Sequence, residues 1–506
     1  MEEEGHCFSD RYYHLRDEAL LVREKTPERV SERLVRCIWL DQLIKKNRLK
    51  TLDGRRIKVI SPGWWNTGEG ADFRQAEIEI EGKRLKGEIE AHVYTSDWKG
   101  HGHHRDPRYG KVILHIALWD NRNKKFIRDI KDRVIPQLIL SPYLSNDLEI
   151  LKESISPEKY PLASSADFGP CYPEIKEADP GKITQFLNLA GDARILEKAE
   201  YFRRRADRVG WEESLYGGIM IGLGYKGLKG EFLELAQRVT IKDIRGILQK
   251  ATVKEKVKSL QALFFGVSGL LPEVPQKGYD RESTRYLQKL RKLWERMPKR
   301  FQTRVMEPQG WRSLQMRPAN LPSRRIAGVS HLLASYSNRN IFNLFKKAII
   351  NQKILLQYLL RVFNPEEENY WSYRYTWGGR RKKRPVRLIG KERVVIILVN
   401  ALIPAMLAYA RKKEDRGLEE ILHRIYTSQP SSGNDRVTKF VTHHLFGKKK
   451  INKEALRFAQ EPFFFTPFKN SARHQQALYQ IFNDYCGNEK VGCTHCNLTA
   501  ILHSLT

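Results

Sequence analysis

Cysteine is scarce in this chain: six in 506 residues, at positions 7, 37, 171, 486, 493 and 496. So few cannot build a disulfide-held extracellular scaffold, and they point to a reducing compartment. The opening residues, MEEEGHCFSD, are acidic and lack the basic and apolar parts of a secretion signal. Also lacking is an uninterrupted apolar run of the ~18 residues read as a membrane span. The longest, VVIILVNALIPAMLAYA at 394–410, contains Asn400 and Pro404 and reads as a buried, kinked helix. No long Ser/Gly linker and no repeat of fixed period occurs, which argues against a solenoid. A folded cytoplasmic protein without a membrane partner is the expectation.

Acidic residues are outnumbered, 59 Asp and Glu against 90 Lys and Arg, for a formal net charge of +31. That excess suits a polyanion, because each phosphate neutralised releases condensed counterions. DNA and RNA, single strands included, are the partners it implies, and a basic but inert surface is the plainer alternative.

The length exceeds the ~250–300 residues at which one core stops growing, so two or three domains are expected. Residues 26–49 place apolar side chains at 30, 34, 38, 39 and 43 behind a Thr26-Pro27-Glu28 helix start. Four stretches then alternate or run apolar: 56–61, 75–82, 84–94 and 111–120. These are predicted strands. From about 180 the periodicity turns helical. The fold class is therefore α+β: a mixed α/β domain over 1–160, a mostly helical basic region over 161–480, and a cysteine-rich tail over 481–506.

The chemistry concentrates in GADFRQAEI and GEIEAHVYTSDWKGHGHH, residues 70–78 and 87–104. Alternation along a strand puts Glu88, Glu90 and His92 on one face and Ile89, Ala91 and Val93 on the other. Three ionisable groups in a row on an inner strand need a cation or a partner charge. Asp72, just before the preceding strand, adds a second carboxylate to Glu90. Hard oxygen donors on neighbouring strands suit Mg²⁺ or Mn²⁺, which would activate water for attack on a phosphodiester. His101, His103 and His104 would then contact phosphate or add ligands. Two other readings stay open: a histidine-bound Zn²⁺ site, and a hydrogen-bonded network with no ion.

An Asp before one strand and Glu-x-Lys on the next resembles the signature of the PD-(D/E)XK, or restriction-endonuclease-like, nucleases. Here it reads Asp72, then Glu90-Ala91-His92, with histidine at the usual lysine position. That resemblance implies a metal-dependent nuclease with Asp72, Glu88, Glu90 and His92 as the catalytic group. It equally implies a nuclease-derived binding factor that lost the chemistry. A His-dependent zinc hydrolase of a small substrate is the third reading.

At the other end, DYCGNEKVGCTHC gives C-x6-C-x2-C at Cys486, Cys493 and Cys496. The C-x2-C turn brings two thiolates to one soft ion or cluster, with Cys171, His495 or His503 as candidates for the fourth place. Zn²⁺ and an iron–sulfur cluster both fit the spacing. A distant cysteine closing on a terminal triplet resembles the iron–sulfur staple of RecB-like nucleases, which implies Cys171.

Two further stretches are substrate candidates. NYWSYRYTWGGRRKKRPVR sets Trp377 and other aromatics before Arg380, Arg381, Lys382 and Lys383. That composition suits single strands, bases stacking on rings and phosphates meeting cations. QMRPANLPSRRIAG offers Arg317 and Arg324, as phosphate contacts or as a rigid arginine-buttressed junction. Taken together, these segments and GWEESLYGGIMIGLG, ALFFGVSGLL and VNALIPAMLAYA resemble a bacterial family of domains of unknown function, DUF2851. The resemblance runs over nearly the whole chain and implies one architecture without implying an activity.

Overall fold

The computed structural model describes residues 7–505, except 20–29, 122–125, 163–168, 225–226, 312–315, 337–338, 352–354, 365–369, 434, 448–470 and 488–495. The chain forms two compact units. One holds residues 11–190, 435–467 and 478–506 and contains the sheet; the other holds 1–10, 191–434 and 468–477 and is helical. The expected boundaries thus differ from those found. The tail set apart at 481 belongs with the sheet, because Asp484 takes hydrogen bonds from Tyr12 and Arg16 at 2.8 Å each.

The sheet-bearing unit is built around β1 (Ile57–Ser61), β2 (Trp64–Trp65), β3 (Phe73–Ile80), β4 (Lys83–Tyr94) and β5 (Val112–Trp119), with β6 (Ile127–Arg128), β7 (Val134–Ile135) and β8 (Gln137–Ile139) following. The order across the main sheet is β1-β3-β4-β5-β8, with β2 paired to β3 and with β6 and β7 forming a separate pair. The first pairings are antiparallel; β4–β5 and β5–β8 are parallel. Alternation sets the faces. Ile78 and Ile80 enter the core, while Glu77 lies opposite Lys86, with its carboxylate 3.5 Å from the Lys86 ammonium on the open side.

Helix Glu32–Leu40 packs on this sheet, capped by the Ser31 hydroxyl accepting from Leu34 N–H. Val35, Ile38 and Trp39 fill the main core together with Ile89 and Ala91. Glu32 and Arg36 sit one turn apart on the same helix face. The start expected at Thr26-Pro27-Glu28 lies outside the described residues.

A parallel neighbour demands a crossover, and β4 reaches β5 through the short helices Asp97–Gly100, His103–Arg105 and Pro107–Tyr109. Gly87 makes the close β4–β5 approach feasible, since a Cβ there would lie 2.5 Å from the Ile113 side chain and 2.7 Å from the Lys111 carbonyl.

In the helical unit, Lys391–Lys412 is the one helix among the described residues long and apolar enough to cross a membrane, and most of it is buried inside the protein. Its middle, Leu398–Leu402, widens to a π-turn around Asn400, with Pro404 just beyond. The expected buried helix at 394–410 is found there, with the π-turn and Pro404 in its middle.

Candidate metal centre

The register of β3 on β4 builds the site. Phe73 pairs with Ile89, so Asp72 lies opposite Glu90, and a bulge at Gln75 with φ 55° follows immediately. The two acids interlock through main chain: Asp72 N–H donates to Glu90 Oε2 at 3.0 Å, and Ala91 N–H donates to Asp72 Oδ2 at 2.9 Å. The other Asp72 oxygen faces Arg36 Nη1 at 3.1 Å, with both side chains only 1% exposed. Arg36 also stacks over Trp65 at 4.9 Å. The Asp72 carboxylate is therefore spent on an arginine and a peptide N–H. A buried carboxylate this close to a guanidinium is compensated in charge without an ion, whereas the expected role of Asp72 was to share one with Glu90.

Glu90 turns its Oε1 toward histidines. Glu90 Oε1 is 3.5 Å from His92 Nε2 and 3.3 Å from His103 Nε2, and those two nitrogens are 3.2 Å apart. An ion bonded tetrahedrally at about 2.0–2.1 Å holds its ligands about 3.3–3.4 Å from one another. The three atoms thus already form one face of such a tetrahedron. A ring nitrogen of His101 lies within 4.8 Å of those of the other two imidazoles, and Glu32 Oε1 lies 3.7 Å from His101 Nδ1 and 3.9 Å from His92 Nε2. Glu90 and His92 are fully buried, whereas the His101 side chain is 39% exposed, so the group opens to solvent on that side.

His92 is also held from behind. Its Nδ1 is 2.9 Å from His115 Nε2, and His115 Nδ1 is 3.3 Å from Gln137 Oε1. With the Gln137 amide oxygen accepting, His115 would carry its proton on Nδ1 and accept at Nε2. His92 would then donate from Nδ1, turning its Nε2 lone pair toward Glu90 and His103. Fixing a ligand's tautomer through its other nitrogen is how supporting groups tune metal sites. His115→Phe is expected to weaken divalent-metal affinity about 10- to 100-fold, read by titration with a chelating indicator, while the fold stays intact. An unchanged affinity would remove His115 from the site.

Aromatic rings and turn chemistry hold the loop ligands. Tyr109 stacks on His103 with centroids 3.9 Å apart, and Trp98 packs edgewise on His103 and at a tilt against His115. Asp97 and Asp106 build the turns: Asp97 accepts from Tyr94 N–H at 2.9 Å and Asp106 from Arg108 N–H at 2.9 Å. Gly102, at φ 76°, turns the chain between His101 and His103.

The remaining candidates fall elsewhere. Glu88 is half-buried and outside the group. His104 is half-buried too, and its ring stays neutral more readily through burial and then through Arg105 and Lys99 nearby. Arg324, a candidate substrate contact, is fully buried, and both terminal nitrogens are given to main-chain carbonyls; it is structural. Trp377 donates its indole N–H to Leu270 O at 3.1 Å and packs against Phe265 and Trp371, so its ring is not a free stacking platform. Arg317, Arg380, Arg381, Lys382 and Lys383 are exposed. Cys171 precedes helix Tyr172–Glu177 and Cys486 ends the turn Phe482–Cys486, and both elements pack on helix Arg436–Phe446. Cys496 is half-buried, which raises its thiol pKa, and Cys493 lies outside the described residues. The three imidazoles of His92, His101 and His103 also form a group whose ligand atoms lie within 4.8 Å of one another.

Glu32, Arg36 and Gln137 escaped the sequence reading. The i,i+4 spacing of Glu32 and Arg36 was a signal, but it reads as an ordinary surface pair.

The fold and site define an α+β protein with a histidine and carboxylate cluster on a mixed sheet. The chain belongs to the family described as protein of unknown function (DUF2851), whose model matches residues 32–435. No curated protein and no solved structure matches it.

Proposed function

We propose that the protein is a divalent-metal-dependent hydrolase of nucleic-acid phosphodiesters, with the ion held by Glu90, His92 and His103. The carrying observation is the triangle of donor atoms with edges of 3.2, 3.3 and 3.5 Å. Two imidazoles and a carboxylate favour Zn²⁺, Fe²⁺ or Mn²⁺ over Mg²⁺, which prefers oxygen and water. A bound ion would polarise water and a phosphoryl oxygen. The protein's own contribution is positional. Glu90 is fixed by Asp72 N–H, His92 by His115, and exposed His101, beside Glu32, is placed to meet substrate.

A nucleic-acid substrate is favoured by the net charge of +31 and by the arrangement around the acids. A helix, three antiparallel strands, a short helical crossover and a parallel strand carry Asp72 and Glu90-Ala91-His92 in the order that resembles the PD-(D/E)XK nucleases. In this reading Asp72 has become a structural anchor and histidines have taken the ion. The cysteines would add a separate structural Zn²⁺ or iron–sulfur site.

The test strips the full-length protein with chelator and restores Zn²⁺, Mn²⁺, Fe²⁺ or Mg²⁺ singly. Labelled single- and double-stranded DNA and RNA are then offered, with bis(p-nitrophenyl) phosphate alongside. Cleavage of a polymer that returns with a transition ion and is absent in His103→Ala is the expected result. Turnover of the small ester alone would favour the small-substrate hydrolase, and binding without cleavage under every ion would leave a non-catalytic nucleic-acid factor.

A further inference from the structure

The helical unit carries a feature that the metal centre does not use. Residues 378–390 form an irregular loop bearing Arg380, Arg381, Lys382, Lys383, Arg384 and Arg387, all exposed. The loop is shaped from beneath by buried arginines. Arg324, in helix Pro322–Ser335, donates from Nη1 to the carbonyls of Trp371 and Arg374 at 2.6 and 2.7 Å. Its Nη2 donates to those of Val386 and Arg387 at 2.9 and 2.8 Å. Arg374, 1% exposed, gives Nη1 to Gly379 O at 2.6 Å and Nη2 to Asp280 and Glu282. Lys382 N–H bonds Tyr373 O, Val386 N–H bonds Ser372 O, and the Asn364 amide takes both main-chain groups of Ile389.

A guanidinium buried without a carboxylate is tolerated when its N–H groups find acceptors, and Arg324 gives both terminal nitrogens to four carbonyls, with only its buried Nε lacking a hydrogen-bond partner among the described residues. The backbone path of the loop is thereby fixed before any partner arrives, which removes an ordering cost from binding. Above it, the cations are mostly uncommitted. Arg381 lies over the Tyr373 ring at 4.1 Å and 3.6 Å from Glu282, and Lys382 lies over Tyr375 at 4.6 Å. The side chains of Arg380, Lys383, Arg384 and Arg387 have no hydrogen bond or ion pair among the described residues. So many like charges in one short loop repel one another, and a polyanion relieves that.

We infer that this loop is a preformed docking surface for the phosphate backbone of a nucleic acid. The aromatic residues beside it are occupied: Trp371 is fully buried, Tyr370 stacks on Tyr286 at 4.3 Å, and Trp377 is packed. Contact is therefore to phosphates and indifferent to sequence. An acidic membrane fits less well, because lasting surface binding wants apolar side chains to insert, and Leu388 and Ile389 are buried.

The inference stands apart from the metal centre, and its test keeps the two separate. In the full-length protein, Arg380→Ala, Lys383→Ala and Arg384→Ala are combined. Binding to labelled single- and double-stranded DNA and RNA oligonucleotides of mixed sequence is measured from low to physiological salt with chelator present. The wild type is expected to bind in a salt-dependent manner. The triple variant should bind about tenfold or more weakly, with the slope of log affinity against log salt reduced by roughly 2 to 3, since each phosphate contact contributes about one. Thermal melting should match the wild type. Preference for one of the four nucleic acids would name the source of the phosphates. An unchanged slope in the variant overturns the inference, as does wild-type binding to anionic phospholipid vesicles with none to any oligonucleotide. Wild-type binding of oligonucleotides with no cleavage under any restored ion would instead count against the hydrolase alone.

Discussion

Glu90→Ala and His92→Ala proteins, purified alongside the wild type and desalted, are expected to retain almost none of the divalent ion that the wild type holds. Glu90 Oε1, His92 Nε2 and His103 Nε2 form one triangular face, so removing a corner leaves two of its donors with only the wider-set His101 to complete the set, and an ion so held is expected to be lost on desalting. The loss in affinity should exceed the roughly 10- to 100-fold that follows removal of a supporting group such as His115. Hydrolysis should fall with it, because water is no longer activated. Elemental analysis of the proteins reads the outcome directly. The cysteines are left intact in every variant, so that any metal they hold is the same in all of them. Full metal occupancy after both substitutions would place the ion elsewhere and end the proposal.

Asp72→Ala should fail differently. It leaves Arg36, itself 1% exposed, without the carboxylate 3.1 Å away, and breaking one side of a buried pair costs about 3–5 kcal/mol. For a unit of this size that is a fall in melting temperature of roughly 6–20 °C. Arg36→Ala should cost a similar amount for the same reason. Replacing both with apolar residues of like volume, Arg36→Met with Asp72→Leu, should recover much of the loss, as paired replacements of buried ions often do. Metal content per folded molecule should stay near the wild-type value throughout. The opposite pattern, normal melting with metal lost in Asp72→Asn, would return Asp72 to the ion.

These two experiments separate what the sequence could tell from what it could not. Period-two alternation marked 56–61, 75–82, 84–94 and 111–120, and strands were found at 57–61, 73–80, 83–94 and 112–119. Gln137–Ile139 was too short to show a period, yet it supplies the amide that orients His115. The histidines of 92–104 were visible as a cluster, but the acids were given the central role. What reversed that ranking is a contact over 36 positions between Arg36 and Asp72, which no local pattern records. Arg324 was read two ways, as an anion contact or as a buttress. Its spacing from Pro318 and Pro322 could not decide, because the four carbonyls it holds lie some fifty to sixty residues away in sequence.

The scattered make-up of the sheet-bearing unit bears on how the chain comes to be folded at all. Strands that hold the histidines leave the ribosome early, but Tyr12 and Arg16 wait for Asp484, and Arg33 for Phe482 against its guanidinium. At ordinary elongation speeds the interval between residues 190 and 478 is about 15 to 60 s. Throughout that interval the helical portion can finish while its predecessor remains unsealed, a window in which chaperones would be needed most. For the same reason a recombinant fragment stopping at 190 would expose the apolar surface that 478–505 covers, and insolubility of such a fragment would say nothing about the intact protein.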